Sequence, residues 1–79
     1  MVLAGGAHMP LIDVKVFKDE LTDEQAKELI AKFTDAVAEV TSDKLRDVTW
    51  IVINEVKDGH WGVGGNALGL PDVKAIMAS

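Results

Sequence analysis

Apolar and polar residues alternate from Leu11 to Phe17. Ile12, Val14 and Val16 share one side; Leu11, Asp13, Lys15 and Phe17 share the other. A period of two predicts a strand. The period then lengthens. Ala26, Leu29, Ile30, Phe33, Val37 and Val40 recur at three-four spacing and predict a helix with one apolar face. Thr22 and Gln25 have the spacing of a capping box, and Asp23 and Glu24 add negative charge at the positive end of the helix dipole. The helix is expected to end near Thr41-Ser42. From Val48 to Val56 both alternating faces are largely apolar, which predicts a strand that is central and buried on both sides. Strand, helix and strand in this order form a βαβ unit, with parallel strands and a right-handed crossover.

Beyond it, Lys57-Asp58-Gly59-His60 carries turn chemistry. Trp61 to Gly65 reads as a short extended segment or hairpin. Gly69-Leu70-Pro71-Asp72 breaks the chain again. Val73 to Met77 reads as a short helical turn or an irregular tail. One helix covers one face of a sheet. The other face, with Trp50, Val52, Val56 and Phe17, has nothing left in the chain to cover it, and a patch of that kind marks an interface. The expected class is α+β: two layers, one long helix, a short C-terminal hairpin and an oligomeric assembly.

Composition sharpens this picture. With 79 residues, the chain is one domain. A domain of this size buries only somewhat more than ~60% of the surface its unfolded chain exposes. No cysteine is present to staple it, yet 48% of the residues are hydrophobic. That combination again points to association with further copies. The net charge of −5 and the absence of a basic stripe argue against nucleic acid. No apolar run approaches the ~18 residues of a membrane span, and residues 1–7 are too short for a secretion signal. The expected location is the cytoplasm. Residues 1–9, ending Gly-Gly-Ala-His-Met, read as an expression-vector remnant or a short natural extension, which leaves 10–79 as the domain.

Candidate chemistry begins at Pro10. As the first residue of a chain, proline carries a secondary amine that can act as a general base, and an apolar pocket lowers its pKa toward neutrality. Preceded by Met9, the same nitrogen is an amide without basicity, and Pro10 merely starts an edge strand. Trp50 and Trp61, the only tryptophans, can wall a water-excluding pocket or pack in an interface. Arg46, the only arginine, can grip a carboxylate with two hydrogen bonds or sit as a solvated charge. His8 and His60 are too scattered for a metal site. Glu55 and Asp13 could pair across the sheet. Gly62, Gly64 and Gly65 lack the context of a phosphate loop and suit a tight turn.

Three segments resemble the 4-oxalocrotonate tautomerase family: Met-Pro-Leu-Ile-Asp-Val-Lys-Val at 9–16, Leu-Thr-Asp-Glu-Gln-Ala-Lys-Glu-Leu-Ile at 21–30, and Gly-His-Trp-Gly-Val-Gly-Gly at 59–65. The resemblance covers about Pro10 to Ala67. It implies a β-α-β fold assembled as a hexamer from three dimers. It also implies a keto-enol tautomerase that needs no cofactor and acts on a small enol or 2-oxo acid. The catalytic base would be Pro10, with Trp61 as the aromatic pocket residue. The chain departs from the family pattern at two arginines. The loop Lys18-Asp19-Glu20-Leu21 is one residue longer and has none, and Trp50 stands where the second is expected. A neutral or monocarboxylate enol therefore suits it better than a diacid, with Arg46 as a candidate substitute. Two rival readings are a related dehalogenase or decarboxylase, and a non-enzymatic binding module if residues 1–9 keep Pro10 blocked.

Overall fold

The computed structural model of the protein describes residues 9–79; His8 and the rest of the leading segment lie outside them. β1 (Leu11–Phe17) is followed by α1 (Asp23–Val40), a 3₁₀ helix (Asp43–Val48) and β2 (Trp50–Val56). β3 (Trp61–Val63), β4 (Asn66–Leu68) and α2 (Leu70–Ala78) complete the chain. β1 and β2 pair in parallel from Leu11↔Trp50 to Phe17↔Val56, as the alternation predicts. β3 and β4 form a separate antiparallel hairpin.

α1 starts where its sequence says it should. The Thr22 hydroxyl accepts from the Gln25 amide at 3.1 Å, and the Gln25 side chain accepts from the Thr22 amide at 2.9 Å. Two orphan amides are satisfied reciprocally. The loop before it is pinned just as firmly. The Phe17 amide donates to Glu20, and the Asp19 amide donates to Glu55, each at 2.9 Å. These contacts hold Asp19 at a φ of 65°, a conformation that side chains other than glycine seldom adopt.

The register corrects two expectations. Residues 43–48 wind into a 3₁₀ helix, so β2 begins at Trp50 rather than Val48. It also has only β1 as a neighbour, and Trp50 and Val52 stay 39% and 40% exposed. A two-stranded sheet with one covering helix cannot bury both faces of either strand. Glu55 lies opposite Val16 and Asp13 opposite Val52, on different faces, so the two carboxylates do not pair. Asn54 instead donates to Asp13, with Lys15 at 3.5 Å from the same carboxylate.

The hairpin turns at Gly64 and Gly65, with φ of 58° and 84°. Two successive positive φ values define the tight turn that matches strand twist, and glycine supplies them without strain. The final segment is more regular than expected, a nine-residue helix. Asp58 anchors its start by accepting from the Leu70 amide at 2.9 Å. Phe17 and Ala38 are the only apolar side chains that reach core burial among the described residues. Leu11, Val40, Ile76 and Met77 are all more than 60% exposed.

Candidate active site

Pro10 sits directly before β1, and strand pairing fixes it there. Its carbonyl accepts from the Trp50 amide at 2.8 Å, one step before the Leu11↔Trp50 pair. Side chains alternate along a strand. The Pro10 ring therefore belongs to the set of Ile12, Val14 and Val16, while the Trp50 indole shares the open face with Leu11. The sheet thus brings Pro10, Leu11 and Trp50 to one end, half-buried or exposed.

Arg46 reaches the same end by another route. α1 starts beyond the far end of β1 and runs back along the sheet. The 3₁₀ helix then leads into β2, with the Thr49 amide donating to the Arg46 carbonyl. The guanidinium is not free. Its Nε donates to Asp43 at 3.1 Å, and its Nη1 donates to Asp35 on α1. These hydrogen bonds, to Asp35 first and then Asp43, push its pKa above the ordinary arginine value. The Asp43 contact has the i,i+3 spacing of a helical pair. Asp35 lies eleven positions away and becomes a partner only through tertiary packing.

Trp61 lies elsewhere. Its ring stacks on Phe17 with centroids 4.7 Å apart and planes tilted by 37°. Phe17 closes the far end of β1, seven residues from Pro10. At about 3.3 Å per residue, that separation is roughly 23 Å. Within one chain, Trp61 and Pro10 cannot line the same pocket.

Two hollows also lie away from Pro10. One of about 190 Å³ sits between the first turn of α1 and the sheet, lined in part by Val16, Leu21 and Ile53. The other, about 240 Å³, is a groove on α1 lined by Leu21, Gln25, Glu28, Leu29 and Lys32. Neither is lined by Pro10, Arg46, Trp50 or Trp61. Among the described residues, no group of three or more His, Cys, Asp or Glu side chains is placed to hold a metal ion. No helix among them is long and apolar enough to cross a membrane.

A small β-α-β domain with a proline at the head of its first strand defines a class, and comparison with known proteins agrees. The model of the family described as "Tautomerase enzyme" matches residues 10–70. Probable tautomerase K2 of Dickeya dadantii is 37% identical over 60 residues, covering 76% of this chain and 88% of that protein. Probable tautomerase SAV1363 of Staphylococcus aureus is 42% identical over 57 residues, covering 72% and 90%. The crystal structure of SAR1376 from methicillin-resistant Staphylococcus aureus superposes with a TM-score of 0.66 at 39% identity, covering 75% of this chain and 92% of that one. YwhB, a homologue of 4-oxalocrotonate tautomerase, gives 0.63 at 33% identity over 72% and 90%. The chain belongs to the tautomerase family, and its function is of the isomerase type.

Proposed function

We propose that this protein is a cofactor-independent keto-enol tautomerase that uses Pro10 as general base on a small enol or 2-oxo acid. The observation that carries the reading is the position of Pro10. It is held at the head of β1 by the Trp50 amide, and the family match begins at that same residue. Acting as a base requires a free amine, so the active form is the one that begins at Pro10. Removal of the residues before it converts an amide nitrogen into a secondary amine. Enclosure of that amine by apolar surface in an assembled pocket disfavours the cation, which brings its pKa toward the working pH. It takes a proton from the enol and returns one to carbon, so no proton is gained or lost overall. Arg46 orients the substrate carboxylate and offsets the charge of the enolate.

Trp61 completes the pocket from a second copy. The distance along β1 supports this division, since Trp61 is held on Phe17 at the opposite end. The exposed apolar side chains support an oligomer in the same way. The expected assembly is a hexamer built from dimers, working in the cytoplasm.

The test is ketonisation of the enol of phenylpyruvate by a chain beginning at Pro10, against the same chain carrying P10A. A rate well above the control supports the reading. Equal rates sink it and leave a binding module on a tautomerase fold. That second reading also describes any form in which the Met9–Pro10 amide persists.

A further inference from the structure

The only guanidinium in the chain is engaged before any ligand arrives. A free arginine offers a carboxylate a fork of two parallel N–H donors. In Arg46, Nε is taken by Asp43 and Nη1 by Asp35. Each fork, Nε with Nη2 and Nη1 with Nη2, therefore has one nitrogen already occupied. Nη2 is left without a partner among the described residues; Nη1 keeps a second N–H, but a carboxylate that used it would lie beside the Asp35 carboxylate.

The surrounding charge acts in the same direction. Asp35, Asp43 and Asp47 outnumber Lys44 and Arg46 at this end of the sheet. A dianion approaching it meets an excess of like charge on a chain that is already acidic. At the same end, the open face of the sheet instead offers apolar surface, with Leu11 62% and Trp50 39% exposed.

From this arrangement we infer that the Pro10 site takes enols with one carboxylate and an apolar substituent, and discriminates against dicarboxylates. Asp35 and Asp43 set the selectivity by leaving Nη2 as the one terminal nitrogen of Arg46 without an aspartate and by offsetting its charge. This rests on the proposed tautomerase reading. The two aspartates are positioning residues that touch the substrate only through Arg46.

The experiment uses the chain beginning at Pro10. Its kcat/KM is measured for the enol of phenylpyruvate and for the enol of a six-carbon dienedioate. The monoacid is expected to be favoured at least tenfold. In D35N/D43N the fork is released and two negative charges are lost. The diacid-to-monoacid ratio should then rise about tenfold, mainly through the diacid KM. D43N alone should give part of that rise, and D43E should reverse it. Adding R46A to the double variant should abolish the gain. Raising the salt concentration should narrow the parent's preference by screening the repulsion.

Equal efficiencies in the parent, or a ratio unmoved by D35N/D43N, overturn the inference while leaving the tautomerase reading intact. If the double variant does not fold, D43N and its reversal by D43E decide the matter, because Asp43 is largely exposed. If neither substrate shows Pro10-dependent turnover, the tautomerase reading fails and the selectivity falls with it.

Discussion

Phe17, at one end of β1, is 6% exposed and stacked on Trp61; Leu11, at the other, is 62% exposed and faces a Trp50 left half in solvent. The loop after Phe17 is tied down by Glu20 and Glu55. The segment around Pro10 is held chiefly by one strand hydrogen bond to the Trp50 amide. The Phe17 end is thus complete within one chain. The Pro10 end presents apolar surface and a partly used guanidinium that the described residues leave exposed. A proton-transfer site needs a reactive group open to substrate and a wall that excludes water. In the reading proposed above, the two requirements lie at opposite ends of a seven-residue strand, and association of copies would bring them together.

The comparison can be broken at either end. The largest effect is expected from P10A in the chain beginning at Pro10. Loss of a positioned base should lower kcat/KM for the phenylpyruvate enol by about 10²–10⁴-fold, with the fold unchanged by circular dichroism. A smaller loss would remove Pro10 from the chemistry. Next is F17A at the closed end, which removes the most buried aromatic and the platform for Trp61. It should cost about 3 kcal/mol or more of stability in a denaturant titration. A cost below about 1 kcal/mol would mean that this end is not the organising one.

R46A should raise KM for a monocarboxylate enol about fivefold while changing kcat less, as expected for loss of one charge-assisted hydrogen bond. No change would leave Arg46 as a surface charge tied to two aspartates. Its hydrogen bonds raise the guanidinium pKa, so whatever the cation contributes is present at every working pH and is lost only in strong alkali. The R46A effect should therefore persist across the neutral range. The smallest effect is expected from T22A, which removes the side-chain half of the α1 cap for about 1 kcal/mol and should leave turnover unchanged.

Local order was legible because local physics sets it. The alternation in 11–17, the three-four spacing of α1, the Thr22/Gln25 cap and the paired glycines of the hairpin each need only neighbours within a few positions. The 3₁₀ helix was missed because 43–48 carries no distinct period; its local cap, in which Ser42 accepts from the Lys44 amide at 3.2 Å, is a signal that could have found it. The helical nature of 70–78 was underestimated because its N-terminus is anchored by Asp58, twelve positions earlier.

The sequence by itself determined the family, the β-α-β order, the parallel pairing, and Pro10, Trp50, Trp61 and Arg46 as the residues to examine. Side-chain period and motif spacing are properties of the chain. Tertiary structure alone decided which of those residues are neighbours. It placed Trp61 on Phe17, far from Pro10, because an extended strand separates its ends by its full length. It also joined Arg46 to Asp35, because α1 folds back along the sheet and brings together charges that the sequence keeps eleven positions apart.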